Sequence, residues 1–458
     1  MSISTTALPP CRHSSHLTTK LAKVRRLDEA PRQEDGQDDP HSSTPLYSLE
    51  FFPPKTTQGL ENLYARIARM ALPSQSPGFP VPSQASGQSV TRPSWIQVTW
   101  GAGGSTDRWS LEMAGRIQSG DLPFQSEAAA NRKSNGNGHV EAGLPTHTPE
   151  ESEGEVEDNE AGGPNSVDAL LHLTCTNVTL DSLRNTLRSA RKAGVRNILA
   201  LRGDPPRGQE YWVAADSRFQ HAADLVRFIR EEHGDYFCIG VAGYPEGHPD
   251  DALLANSLGG EEHSEGGPEG SKDIADPVER DIRNLLQKQA AGAEFVITQL
   301  FYNAEAFLNW ERRAYAAGLK IPIVPGIMPI INYQSFRRMT TLCKVRVPDN
   351  IFNDLQQIKG DDAQVRTYGV EVAKSIIRRI WLDKQSRVKG FHLCTLNLEK
   401  SVSRIIAELD WWCPGRRGRS VDAEAQEVRD LRAEQGLQTR QHLRNQKIQT
   451  DVSTVVNV

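Results

Sequence analysis

The 458-residue chain has no uninterrupted apolar run of about 18 residues, which excludes a transmembrane helix. It also has no surplus of positive charge. With 53 Lys and Arg against 58 Asp and Glu, the formal net charge is −5. The basic domain expected of a nucleic-acid binder is missing, so no nucleic acid and no membrane is expected as a partner. The six cysteines, Cys11, Cys175, Cys238, Cys343, Cys394 and Cys413, are scattered, with no CxxC pair and no close grouping of several Cys and His. A disulfide scaffold and a zinc site are therefore not expected, no metal is assigned, and the usage fits a reducing, cytoplasmic setting. Hydrophobic residues make up only 37% of the chain. That lies below the roughly 45–50% of a globular domain, so part of the chain is expected to be unpacked.

The unpacked parts are visible as composition. Residues 1–44 are polar, 73–93 repeat Pro, Ser, Gly and Gln, 120–166 end in the acidic run Glu150 to Glu160, and 255–277 are Gly, Glu and Ser. Such segments bury too little apolar surface to offset the entropy of ordering them, so a disordered N-terminal tail and three disordered insertions are expected. The first 27 residues are basic and free of acids, with Arg12, Lys20, Lys23, Arg25 and Arg26. That is the composition of a transit peptide, but the amphipathic period of one is lacking, so mitochondrial targeting is the weaker reading. Residues 414–458 form a polar, helix-prone tail without an apolar seam.

With those segments set aside, short β-branched runs alternate with helical spacings. Strands are expected at Tyr47–Phe52, Trp95–Trp100, Leu170–Cys175, Arg196–Leu201, Tyr236–Ala242, Glu294–Leu300, Ile321–Ile327 and Gly390–Leu396. Helices are clearest at Leu180–Ala193, Ala222–His233, Val278–Ala291, Ala304–Ala317 and Tyr368–Leu382. Gly194, Gly234, Gly292 and Gly318 each follow a helix, where a left-handed C-cap is wanted. Strands apolar on both faces and separated by helices describe a covered parallel sheet. Eight βα units in one core, residues 45–413, favour a (β/α)8 TIM barrel with long disordered insertions. A doubly wound dinucleotide fold is disfavoured because no G-x-G-x-x-G follows the first strand.

In such a barrel, chemistry gathers where strands end. The first strand ends in Glu50-Phe51-Phe52-Pro53-Pro54, a carboxylate in an apolar setting whose pKa should rise, as a general acid requires. Gly101–Thr106 follows Thr99-Trp100 but lacks the Lys of a phosphate-binding loop. His172 lies among apolar neighbours and fits a satisfied core histidine as well as a ligand contact. The fourth strand ends in Arg202-Gly203-Asp204, whose adhesion-motif spelling is coincidental after a buried strand. The fifth leads into Gly243-Tyr244-Pro245-Glu246-Gly247-His248, the sixth ends in Thr298-Gln299, and Tyr333 follows the seventh. Singly these are ordinary loop residues. Together, aromatic, amide and carboxylate groups around one mouth suit a planar, hydrogen-bonding ligand such as a flavin or a pterin.

The assembled motifs resemble those of the methylenetetrahydrofolate reductase family. They are Tyr47–Pro54, Val98–Trp100, His172–Cys175, Ala200–Pro205, Ala242–Pro249, Phe295–Phe301, Pro325–Pro329 and Thr395–Asn397, in family order. The resemblance implies a barrel holding FAD, reduced by NADPH (favoured) or NADH, that converts 5,10-methylenetetrahydrofolate to 5-methyltetrahydrofolate for methionine synthesis. Because folate and nicotinamide would share one flavin face, it also implies ping-pong kinetics. Glu50 matches the general acid that protonates N10 as the folate ring opens. Asp204 matches the carboxylate near the flavin N1 edge and the pterin, Gln299 the amide that binds substrate, and Tyr333 a stacking aromatic. For FAD the matching positions are Thr99, Trp100, His172, Leu201, Arg202, Gly203, Asp204, His221 (where a Tyr is common), Ala222, Tyr244, His248, Asp251, Asp281 and Lys288. Lys288 and His248 are expected to face the pyrophosphate.

Departures accompany the resemblance. Cys394 and Leu398 stand where some relatives have Tyr and Arg contacting substrate. Eukaryotic relatives continue into a regulatory domain that binds S-adenosylmethionine, whereas here only Arg416-Arg417 resembles the linker's start, so inhibition by S-adenosylmethionine is not expected. Intact Glu50, Asp204 and Gln299 argue against the alternative of an inactive paralogue serving as an interaction protein. A proline-dehydrogenase-like barrel finds no support in Glu50–Pro54. The oligomeric state is open to a homo-oligomer.

Overall fold

The computed structural model describes residues 16–24, 26, 44–71, 92–100, 107–122, 167–205, 212–248 and 276–409. The Gly101–Thr106 loop, Asp251, the tail at 414–458 and nearly all of the three expected insertions lie outside the described residues.

The elements run α1 (Leu17–Lys23), β1 (Leu46–Phe51), α2 (Thr57–Ala71), β2 (Trp95–Val98), α3 (Asp107–Ser119), β3 (Asp168–Thr174), α4 (Leu180–Lys192), β4 (Asn197–Leu201), α5 (Ala222–His233) and β5 (Cys238–Gly243). They continue with α6 (Pro277–Ala290), β6 (Phe295–Thr298), α7 (Ala304–Ala316), β7 (Ile323–Val324), β8 (Gly326–Ile327), α8 (Tyr333–Leu342), α9 (Asp349–Ile358), α10 (Asp362–Trp381), β9 (Gly390–Cys394) and α11 (Lys400–Glu408). All strand pairings are parallel, in the order β7-β6-β5-β4-β3-β2-β1-β9-β8. The expected seventh strand is in two pieces. Pro325 lies between them and has no N–H for the ladder, so β7 pairs with β6 while β8 pairs with β9. Chain continuity through Pro325 therefore joins the two ends of the sheet, and the fold is a (β/α)8 barrel of eight strand positions. The expected C-caps are in place, with positive φ at Gly194, Gly234, Gly292 and Gly318.

Strand alternation sorts the side chains into two cores. Leu49, Phe51, Ile96, Val98, Leu171, Leu173, Ile198, Ala200, Val241 and Val296 pack outward against the helices. The intervening residues Trp95, Leu170, Leu199, Cys238, Phe295, Ile297 and Val324 form a separate apolar cluster inside the barrel, near the strand starts. Gly240 makes room for it, since a Cβ there would meet the Phe295 ring at 2.1 Å.

Within residues 1–44, the structure corrects the expected disorder at residues 16–24 and 26. Leu17 and Leu21, each 1% exposed, belong to that interior cluster, so α1 closes the strand-start end of the barrel. The Leu17 N–H donates to Asn197 Oδ1 at 2.9 Å, His16 Nε2 lies 3.1 Å from the Tyr236 carbonyl, and Lys20 pairs with Asp168. Arg26 is buried too, donating to the carbonyls of Val388, Trp381 and Asp383. A seven-residue helix with one i, i+4 leucine pair is too short to be stable alone. Burying both leucines contributes about 3–6 kcal/mol, which the surrounding polar sequence does not reveal.

Candidate active site

At the opposite end the inward positions turn polar. Ser48 and Glu50 on β1, Gln97 on β2, His172 on β3, and His392 and Cys394 on β9 all lie on the alternation that faces the barrel axis. Parallel register sets Glu50 beside Gln97 on one side and Cys394 on the other, with Ser48 beside His392. Glu50 Oε2 lies 3.2 Å from His392 Nε2 and 3.9 Å from His172 Nε2. Gln97 joins the two rings, with Oε1 at 2.9 Å from His172 Nε2 and Nε2 at 2.9 Å from His392 Nδ1, where Ser48 Oγ also stands at 3.0 Å. The Thr395 hydroxyl donates to the Glu50 carbonyl, fixing the strand end.

This orientation of the Gln97 amide sets the protons. Its NH2 donates to His392 Nδ1, so His392 carries its proton on Nε2 and donates it to the Glu50 carboxylate. His172 donates from Nε2 to Gln97 Oε1. It stays neutral because burial pushes its pKa down to about 4, against the opposing pull of Glu50. The carboxyl of Glu50 departs from the sequence expectation. Burial does act to raise its pKa, but the His392 hydrogen bond and the electrostatic pull of the His392 and then the His172 ring outweigh that, and the net shift is downward. Glu50 in the uncovered site is thus a carboxylate near neutral pH.

A second group forms where β4 and β5 end. Gly203 has φ +90°, and a Cβ there would come within 2.3 Å of Thr176 Oγ1, so only glycine brings the backbone this close. The Arg202 guanidinium stacks at 5.2 Å on Trp212, whose Nε1 donates to Thr176 Oγ1. Lys288 donates to the Ala242 carbonyl at 2.9 Å, and its pKa is lowered by burial and then, against the pull of Asp281, by nearby Arg202. The rings of Tyr244 and His248 meet edge-on at 4.5 Å. Asp281 is buried and accepts from the Tyr244 N–H at 3.1 Å and Trp310 Nε1 at 3.2 Å, so it shapes the turn after β5.

The remaining expected residues are spread along the same end. Thr99 and Trp100 are buried just past β2, and Trp100 Nε1 has no partner among the described residues. The Leu201 carbonyl accepts from the Cys175 N–H. His221 precedes α5 as its N-cap, its N–H held by Asp224, and Ala222 is buried beside it. Gln299 turns its Oε1 back onto the Leu300 N–H, and Tyr333 opens α8 with its hydroxyl 2.5 Å from Gln356 Nε2. Asp204 is exposed, and its charge helps push the Cys343 thiol, raised chiefly by burial, to about 11. The Cys394 thiol is likewise pushed up, by burial first and then by Glu50 and Cys343.

Sequence reasoning missed Ser48, Gln97 and His392 as site members. The signal was present: Ser48/Glu50, Gln97/Thr99, His172/Thr174 and His392/Cys394 are polar at every second position of otherwise apolar strands.

A parallel barrel with a buried carboxylate–imidazole chain at its strand ends has the architecture of the barrel enzymes, whose chemistry gathers at that mouth. A sequence profile described as methylenetetrahydrofolate reductase matches residues 37–121 and 153–410, and the chain belongs to that family. It is 38% identical over 391 residues to methylenetetrahydrofolate reductase 2 of Schizosaccharomyces pombe, covering 84% of this chain and 48% of that one. It is 35% identical to methylenetetrahydrofolate reductase (NADH) 1 of Zea mays over 79% of this chain and 48% of that one. It is 32% identical to a probable methylenetetrahydrofolate reductase (NADPH) of Caenorhabditis elegans, over 80% and 42%. The chain spans about half the length of these relatives. Among the described residues, no helix is long and apolar enough to cross a membrane.

Proposed function

We propose that this chain reduces 5,10-methylenetetrahydrofolate to 5-methyltetrahydrofolate, with FAD as bound cofactor and a nicotinamide coenzyme, NADPH by preference, as reductant. Family membership supports the reaction, and the inward Glu50 held by His392 is the observation that carries the mechanism.

Several features suit a flavin dinucleotide. The cationic pair Arg202 and Lys288 suits a pyrophosphate, the thin backbone at Gly203 admits close approach, and the buried Trp100 indole N–H awaits an acceptor. When bound, FAD supplies hydride transfer between coenzyme and folate. Arg202, Lys288, Tyr244 and His248 would hold it, Trp100 and Thr99 would line its ring, and Asp281 would keep the Tyr244 turn in place.

Glu50 supplies the proton for N10. Its carboxylate accepts from His392 Nε2 while the mouth is open, with the side chain 13% exposed. A folate lying over the mouth removes that remaining water. Burial is the influence that raises the Glu50 pKa, so covering the site draws a proton onto the carboxyl where N10 needs it. Asp204 and Gln299 are proposed to bind the pterin, and Tyr333 to stack on it.

The test is Glu50→Gln in purified, yellow protein. Bleaching of the flavin by NADPH should persist, while reoxidation by the folate should fall by about 10²–10⁴-fold, the usual worth of a general acid. Normal folate turnover in this variant would remove Glu50 from the role. A colourless protein that gains no flavin on reconstitution would favour the non-catalytic alternative.

A further inference from the structure

We propose that Glu50, His392 and Cys394 form a binding site for a thiophilic divalent cation, Zn2+ above all. One ligand atom from each side chain, a carboxylate oxygen, an imidazole nitrogen and a sulfur, lies within 4.8 Å of the others. That donor set is the one zinc takes, and a tetrahedral ion with bonds of about 2.0–2.3 Å needs its donors only roughly 1 Å closer.

The set is built on rigid backbone. His392 and Cys394 are i and i+2 on β9 and so share a face, and Cys394 is the register partner of Glu50 on β1. Nε2 of His392 points at Glu50, and the ring takes a cation as its other tautomer: the proton moves from Nε2 to Nδ1, which donates to Ser48 Oγ, with the Gln97 amide turned over so that its Oε1 also accepts. The three protein ligands leave a fourth position towards the mouth for water. As the S–Zn bond forms, the Cys394 S–H bond breaks and its proton passes to solvent, with no change of oxidation state. The pair His392 and Cys394 is visible in the sequence but too small to signal a metal, because the third ligand comes from a neighbouring strand about 340 residues away.

A cation there ties up the Glu50 carboxylate, so Zn2+ should inhibit folate reduction. That consequence rests on the proposed reaction, whereas the binding does not. The experiment is equilibrium dialysis of the full chain against Zn2+ with metal analysis, beside iodoacetamide labelling read by peptide mass spectrometry. The expected result is at least tenfold slower labelling of Cys394 in the presence of Zn2+, and one equivalent less bound zinc in Cys394→Ala and in His392→Ala. Unslowed labelling of Cys394 in the wild-type chain overturns the site, whether or not the variants fold. So does equal zinc stoichiometry in wild type and folded Cys394→Ala. Protection of Cys394 in a chain that turns over no folate would sink the proposed reaction and leave the site standing.

Discussion

The two halves of the barrel interior carry opposite chemistry, and on β2 and β3 they lie one alternate position apart, Trp95 then Gln97 and Leu170 then His172. Near the strand starts the lining is Trp95, Leu170, Leu199, Cys238, Phe295 and Val324, sealed by Leu17 and Leu21 of α1. Near the strand ends it is Cys394 together with Ser48, Glu50, Gln97, His172 and His392, the last five joined by hydrogen bonds at the β1–β2–β3–β9 side. The sealed floor lets the fold tolerate a buried polar chain at its mouth. Stability is concentrated where no chemistry occurs, and the groups that cost desolvation are confined to where they can act.

The comparison breaks most visibly if a charge is moved from one half to the other. Leu21→Asp would bury an unpaired carboxylate in the apolar floor, with no His392 to receive it. A loss of about 3–5 kcal/mol is expected, seen as a much lower denaturation midpoint in urea. Glu50→Gln, at the mouth, should leave that midpoint almost unchanged. Equal damage from both would mean that the two halves do not divide stability from chemistry.

A second expectation concerns pH. His172 is neutral in the folded chain down to about 4, against an ordinary value of 6.5. Between those values the unfolded chain binds a proton that the folded chain does not, so stability falls as pH drops through the window, by up to roughly 3 kcal/mol. Glu50, held below its ordinary 4.5, adds a further loss below that pH. In His172→Asn, melting temperature should vary much less between pH 6.5 and pH 4. An unchanged slope would show that the polar half is not the acid-sensitive part.

The same division explains what the sequence disclosed. Strands were legible because their β-branched runs are apolar on both faces, and α4 to α7 because each has a capping residue before it and a glycine just after it. The start of α10 was placed six residues late, since Asp361 caps it through the N–H groups of Ala363 and Gln364 without a preceding apolar period. The floor was invisible, because two leucines in a basic segment acquire meaning only from a barrel end waiting to be filled. At the mouth, Glu50 stood out beside its Phe and Pro neighbours. His392 did not, being 342 residues away and an isolated polar side chain in an apolar strand. Missing it reversed the inferred direction of the Glu50 pKa.

The finest distinction comes from Lys20, a polar residue that serves the floor. Its ammonium pairs with Asp168 at the start of β3 and donates to the Ser94 carbonyl at 2.7 Å, with side-chain exposures of 28% and 14% for the pair. Removing the charge in Lys20→Met keeps most of the stem's packing and leaves Asp168 with Gln118 Nε2 at 3.4 Å as its nearest remaining side-chain partner. A partly exposed pair of this kind is worth about 1 kcal/mol, so the melting temperature should fall by a few degrees, and less in high salt where the pair is already screened. Flavin content and turnover at 25 °C should stay at wild-type values, because α1 packs into the floor at the end of the barrel opposite the mouth. A variant that melts normally but loses flavin or activity would show that the floor transmits to the mouth, and the two halves would then have to be treated as one coupled unit.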